Sequence, residues 1–215
     1  MPTTDPRPRP LDVPPGLKGV IVAETALGDV RGDEGFYHYR QYAAPDLARQ
    51  VALKVLNVRL LSGADWGKRF RREAQAIASL RHPNVVQIYD FGKHSSGYYM
   101  AMEFVEGNDL AVQLRQSKYV QKLLAPETIL RIIKDVAAAL DYAHNRGVIH
   151  RDVKPQNILV AGDRVLVTDF GLSVHERSGG KPGVAGTPGY MASEQLDGGR
   201  VDARTDVFGL CATLF

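Results

Sequence analysis

Cysteine is almost missing from this 215-residue chain: Cys211 stands alone, which excludes an internal disulfide framework and fits a reducing compartment. Long apolar runs are missing too. No stretch approaches the roughly 20 residues that span a bilayer, and the opening MPTTDPRPRP has no apolar core of a signal peptide. An excess of one charge is also lacking, because 27 basic residues face 24 acidic ones for a net +3, and the basic residues are scattered. So small a surplus gives no reason to expect a nucleic-acid partner. These absences lead us to expect a cytoplasmic protein with no membrane segment. What remains is an ordinary globular composition, 44% hydrophobic and 24% charged, enough for one sizeable domain or two small ones.

Residues 1–15 carry six prolines and little to bury, so an extended, solvated lead-in is expected there. KGVIVAET, from Lys18 to Thr25, reads as a strand, and VALKVL from Val51 as another. WGKRFRREAQAIASL then places Phe70, Ala74, Ile77 and Leu80 on one helical face. VVQIYDFG and GYYMAMEFV read as a hairpin turning at KHSS. PETILRIIKDVAAALDYAHNRG predicts a long helix that starts near Pro126 and stops at Gly147, with Ile129, Ile133, Val136, Leu140 and Ala143 buried. NILV, the turn AGDR and VLVTDFG form a second hairpin. Strands come first and helices later, which predicts an α+β fold with two lobes.

Three clusters carry chemistry. In VALKVL the two-residue period puts Ala52 and Lys54 on one face, a small residue beside a cation. A lysine on a strand is most often only solvated, but here the following helix offers Glu73 among apolar neighbours. The second cluster is HRDVKPQN, His150 to Asn157, and the third is DFG, Asp169 to Gly171. Asn157 precedes one strand of the second hairpin and Asp169 follows its partner, so antiparallel pairing brings both to one end of the ribbon, near Asp152. Mg²⁺ held by few protein oxygens and completed by water and phosphate is the expected guest. Taken singly, Asn157 capping a turn and Asp169 ending a strand would be the plainer explanations.

VALK, Glu73, HRDVKPQN, DFG and GTPGYMASEQ, in this order and spacing, resemble the protein kinase family, in particular bacterial serine/threonine kinases. The resemblance implies a two-lobed kinase-like fold, a small β lobe and a mostly helical one, transferring the γ-phosphate of ATP to a Ser or Thr hydroxyl of a protein substrate. It implies that Lys54 holds the α and β phosphates and pairs with Glu73, that Asp152 orients the hydroxyl and takes its proton, and that Asn157 and Asp169 bind Mg²⁺. Lys154 marks Ser/Thr rather than Tyr specificity. Ala52 and Leu159 flank the adenine, Met102 is the gatekeeper, and Glu103 to Val105 form the hinge. Ile77, Ile88, His150 and Phe170 stack between the lobes. Arg151 is the cation that a phosphate on the following loop, at Ser173 or Ser178, would neutralise; Thr187 resembles the family's substrate-positioning threonine, and Asp206 in TDVFGLC its helix aspartate that braces the HRD backbone.

Some features depart from that pattern. Counting back from VALK places Gly32, Glu34 and Tyr37 where three loop glycines belong, with Tyr39 over the adenine, so at best a damaged phosphate loop is expected. Residues 14–49, including GFYHYR, resemble the opening segment of bacterial citrate synthases, though that family's catalytic histidines and aspartate have no counterpart here. The resulting expectation is a leader over 16–49 joined to a kinase domain over 50–215 that has lost its first two strands, with a small lobe to about 105 and a large lobe from 106, the latter cut short. An uncovered apolar face on the last helix, and a Glu194 without the arginine that the family pairs with it, are expected with it. The competing expectation is a non-catalytic kinase-like fragment or interaction module.

Overall fold

The computed structural model describes residues 26–32, 35–44, 49–57, 66–94, 97–120, 123–170 and 187–215. The expected lead-in over 1–15 and the strand at Lys18 to Thr25 lie outside them, as do Ser173 and Ser178.

The small lobe is a five-stranded antiparallel sheet of β1 (Ala26–Gly32), β2 (Gly35–Ala44), β3 (Arg49–Asn57), β4 (Ile88–His94) and β5 (Gly97–Glu103), in the order β1-β2-β3-β5-β4. The expected loss of the first two strands is therefore corrected. The stretch LGDVRGDEGFYHYRQYAA supplies β1 and β2, and β2 pairs along β3 from His38 opposite Val55 to Ala44 opposite Arg49. Strand pairing is a backbone property that needs no particular glycine spacing, and the aromatic run GFYHYRQY favours it. Gly32 lies opposite Gly35, so the two glycines bracket the hairpin tip.

Period-two alternation divides β3 between two cores. Val51 and Leu53 join Tyr99 and Ala101 in a cluster on one face, while Ala52 packs on the other against the main core. Helix α1 (Trp66–Ala78) supplies Ala74 and Ile77 to that main core, beside Ile88, Met100 and Met102 of the sheet. Leu80, just past the helix, is buried as expected.

The large lobe begins with the two-residue strand β6 (Asn108–Asp109) and helix α2 (Leu110–Tyr119), capped by Asp109, whose carboxylate accepts from the Val112 N–H at 2.7 Å. Helix α3 (Pro126–His144) follows, with Pro126 in its first turn, where a missing N–H costs nothing, and Gly147 beyond its end at φ 72°. Its buried residues are Ile132, Val136, Ala139, Leu140 and Ala143. Val136, Leu140 and Ala143 are buried as expected, whereas Ile129 is exposed and Ile133 only half-buried. Ile129 sits in the first turn, and Ile132 and Ala139 continue the i, i+4, i+7 row through Val136 and Ala143.

β7 (Ile158–Ala161) and β8 (Arg164–Val167) form the expected second hairpin, with β6 on its outer edge. A short 3₁₀ turn, Pro155–Asn157, leads into it. The lobes meet where the segment before β4 lies on β8: Val86 donates to the Val167 carbonyl at 2.9 Å and Val167 to that of Asn84 at 2.8 Å. The chain ends with α4 (Ser193–Leu196) and α5 (Ala203–Leu214), the latter leaving Val207, Phe208 and Leu214 exposed, as expected of its apolar face.

Candidate functional site

Asp152 is the centre of a compact network. Its Oδ1 accepts from the Thr187 N–H at 3.0 Å and the Thr187 hydroxyl at 2.9 Å. Its Oδ2 takes the Lys154 ammonium at 2.7 Å and the Asn157 Nδ2 at 3.1 Å. Lys154 also donates to the Thr187 hydroxyl oxygen at 2.5 Å. The carboxylate is thus fixed by four donors, two of them from a residue far along the chain.

Asn157 is 6% exposed and sits at the end of the 3₁₀ turn. Its Nδ2 also donates to the Asp152 carbonyl at 2.8 Å, which turns the amide nitrogen toward Asp152 and leaves the amide oxygen as the end that can meet a cation. The Thr168 N–H donates to the Asn157 carbonyl at 3.0 Å, extending the β7–β8 pairing, in which Ile158 faces Val167, by one step. Asp169 follows directly. The expectation that the ribbon returns Asn157 and Asp169 to one end is what the register produces.

Lys54 on β3 is 3% exposed, and its Nζ lies 2.9 Å from Asp169 Oδ1. A buried ammonium needs such a partner, because removing it from water unpaired costs several kcal/mol by order of magnitude. Glu73 on α1 reaches the Arg151 guanidinium, Oε1 to Nη1 at 4.0 Å. The Nε of Arg151 is buried with no hydrogen-bond partner among the described residues. Among the described residues no cluster of three or more His, Cys, Asp or Glu side chains is arranged to hold a metal. The oxygens of Asn157 and Asp169 alone suit an ion that keeps water and phosphate in its shell, which is the habit of Mg²⁺.

Ala52, Val105 and Leu159 are half-buried against the main core, from β3, the segment after β5, and β7. Ala52 pairs with Met102 across the sheet. Glu103, the last residue of β5, donates its N–H to the Gln87 carbonyl at 2.8 Å and takes Arg164 on its carboxylate at 2.7 Å. Behind Met102 lies a small cavity lined by Ile77, Ile88, Met102, Asp169 and Phe170. The His150 and Phe170 rings meet in a tilted contact, centroids 4.6 Å apart and planes at 51°.

Two residues of the site hold backbone that side chains seldom tolerate: Arg151 at φ 69° and Asp169 at φ 63°. Each costs on the order of 1–3 kcal/mol and persists only where its surroundings impose it. For Arg151 the surroundings are visible. Asp206 on α5, 1% exposed, accepts the N–H groups of His150 at 2.8 Å and Arg151 at 2.7 Å. Gln195, 2% exposed, donates to the Arg151 carbonyl at 2.7 Å and accepts the Ala192 N–H at 3.1 Å. Gly209, three residues after Asp206 and so on the same helical face, lets α5 approach; a Cβ there would stand 2.9 Å from the Val153 carbonyl oxygen. His150 is held as well, Nε2 against the Thr168 carbonyl at 2.8 Å and Nδ1 accepting the Asp152 N–H at 3.2 Å. Those partners fix one tautomer, with the proton on Nε2.

Sequence reasoning missed Gln195 and His144, whose Nε2 lies 2.7 Å from Asp206. Gln195 carries no spacing signal. Glu194 takes a hydroxyl donor: its carboxylate accepts the Thr205 hydroxyl at 2.6 Å, a bond that lowers its pKa more than any other contact.

Residues 40–215 match the family described as "Protein kinase domain". This chain belongs to the protein kinase family. The match starts ten residues ahead of the expected boundary at Gln50, inside β2. The chain is 42% identical over 180 residues to the serine/threonine-protein kinase PknF of Mycobacterium tuberculosis, covering 80% of this chain and 37% of that one. It is 37% identical over 199 residues to the serine/threonine-protein kinase PknB of the same organism, covering 88% and 31%. It therefore spans about a third of the length of these curated relatives. The crystal structure of a mutant PknI kinase domain from Mycobacterium tuberculosis superposes with a TM-score of 0.73 at 32% identity, over 91% of this chain and 72% of that one. The two-lobed α+β fold is thus that of a protein kinase, a family that uses ATP and Mg²⁺.

Proposed function

We propose that this chain catalyses transfer of the γ-phosphate of ATP to a Ser or Thr hydroxyl of a protein. The observation that carries the proposal is the Lys54–Asp169 ion pair at 2.9 Å, standing one hydrogen-bonded step, Thr168 to Asn157, from the network around Asp152. Phosphate, cation and hydroxyl functions thereby face one cleft.

In this reading Ala52, Val105 and Leu159 enclose the adenine, and the backbone from Glu103 to Val105 bonds its edge. Lys54 holds the α and β phosphates, drawn from the Asp169 side, and Glu73 helps to set it. Asp169 and the amide oxygen of Asn157 hold Mg²⁺, which when bound neutralises charge on the phosphates. Asp152 orients the acceptor hydroxyl and takes its proton, and Lys154, already between Asp152 and Thr187, offsets charge on the transferring group. Lys154 in HRDVKPQN, together with the PknF and PknB relatives, supports Ser/Thr as the acceptor. The small lobe in this proposal extends back to β1, with Gly32 and Gly35 over the phosphates. The lone Cys211 and the lack, among the described residues, of a helix long and apolar enough to cross a membrane support the cytoplasm as its place.

The test is phosphorylation of casein with γ-labelled ATP and Mg²⁺, followed by identification of the labelled amino acid. Asp152→Asn keeps the Thr187 contacts on its remaining oxygen and should lower the rate by about 10²–10⁴-fold while retaining MgADP binding. Equal rates in the two proteins, or label on tyrosine alone, would overturn the proposal.

A further inference from the structure

The hinge between the lobes is seated at both ends on the β7–β8 ribbon, by contacts that no motif announces. At its start, Arg164 Nη2 lies 2.7 Å from Glu103 Oε1 across 61 residues of sequence. At its end, Gly107 presses on β7 so closely that a Cβ would stand 2.4 Å from the Val160 carbonyl oxygen. The turn carrying Arg164 is itself anchored, because Arg131 on α3 meets Asp163 at 2.6 Å and the Gly162 carbonyl at 3.5 Å. Gly162, at φ 59°, supplies the left-handed step that this turn requires.

Glu103 is therefore held from two sides. Its N–H is committed to Gln87 in the small lobe, and its carboxylate to the large lobe. Arg164 opens β8, the strand that runs into Thr168 and Asp169, and Leu159 lies opposite Leu166 on the same ribbon. One hairpin thus sets the apolar wall at Leu159, the carboxylate at Asp169 and the position of the hinge. We infer that Arg164 is a positioning residue for the nucleotide, acting through Glu103 to hold the hinge at a fixed distance from Leu159 and Asp169. This rests on the nucleotide-site reading of the preceding subsection. Arg164 touches neither adenine nor phosphate in this role.

The side chain of Arg164 is 56% exposed and that of Glu103 20%, so water screens the pair in part. Exposed pairs of this kind change an equilibrium by about two- to five-fold, and that is the size of effect expected. The experiment is calorimetric titration of the full chain with MgADP, for wild type, Arg164→Ala, Arg164→Lys, Glu103→Gln and the double variant Glu103→Gln with Arg164→Ala. Arg164→Ala should weaken MgADP binding by about two- to five-fold, Arg164→Lys should recover part of the loss, and Arg164→Ala should add nothing once Glu103 is Gln. The difference between wild type and Arg164→Ala should shrink at 1 M salt, where the Debye length is about 3 Å. In turnover, KM for ATP should rise with kcat unchanged.

Equal MgADP affinity in wild type and Arg164→Ala, or additive losses in the double variant, would overturn the inference and leave the nucleotide site standing. A wild-type chain that does not bind MgADP would overturn the site reading, and this inference with it. Should Arg164→Ala fail to fold, Arg164→Gln, which also removes the charge, takes its place in the same cycle with Glu103→Gln.

Discussion

Thr187 and Asp152 are joined twice, by the Thr187 N–H at 3.0 Å and its hydroxyl at 2.9 Å, both onto the same carboxylate oxygen. The second carboxylate oxygen is left to Lys154 and Asn157. Thr187 is thereby registered on the His150–Asn157 segment, and the proposed base cannot rotate without breaking several charge-assisted bonds.

Thr187→Ala removes the hydroxyl that bridges Asp152 and Lys154 while keeping the backbone bond. Hydrogen bonds to charged groups contribute roughly 1.5–3 kcal/mol, so kcat should fall by about 10- to 150-fold, and Thr187→Ser should restore most of it. Turnover at saturating ATP checks this; an unchanged kcat in the alanine variant would remove Thr187 from the machinery.

Asp206→Ala should be costly to the fold rather than to chemistry alone. Asp206 is 1% exposed and accepts two backbone N–H groups, besides facing His144. Deleting one partner of such a buried charged network costs on the order of 3–5 kcal/mol, and Arg151 then loses what imposes its φ of 69°. Urea unfolding should show a matching drop in stability; a loss below about 1 kcal/mol would mean that solvent replaces the carboxylate.

Tyr99 provides a pH handle. Burial first, and then its bond to Asp90 at 2.8 Å, push the phenol up to about 12 from the ordinary 10.0. The folded-state pKa lies above the unfolded one, so the stabilisation is complete below pH 10 and is lost as pH rises toward 12. Tyr99→Phe should flatten that alkaline decline. Unfolding curves between pH 9 and 12 decide it, and identical slopes in the two proteins would contradict the shift.

Removing residues 1–48 deletes β1 and β2 and turns β3, with Lys54, into a sheet edge. We expect the truncated chain to lose the thermal stabilisation that MgADP gives the intact one, about 2.7 kcal/mol at 100 times the dissociation constant. An unchanged shift would show that the hairpin contributes nothing to the nucleotide site.

Periodicity and local chemistry carried the sequence reading a long way. Alternation in VALKVL and GYYMAMEFV, the 3.6-residue pattern of α3 and the polar turn AGDR each depend on neighbours a few positions apart, so they were legible directly. The ribbon geometry joining Asn157 to Asp169 followed from antiparallel pairing alone. The β1–β2 hairpin was not legible from glycine spacing, because strand pairing is a property of the backbone and β2 is fixed by its register on β3.

What the sequence by itself determined, then, is which residues carry charge, oxygen and hydroxyl chemistry and which elements hold them. The kinase resemblance already places Asp206 behind the HRD backbone; only the tertiary structure decided which groups it and the others restrain: Asp206 and Gln195 on Arg151, Thr187 on Asp152, Arg164 on Glu103. Those contacts span 35 to 61 residues. No local pattern encodes them, because each depends on where two separately folded segments are brought by the burial of a shared core.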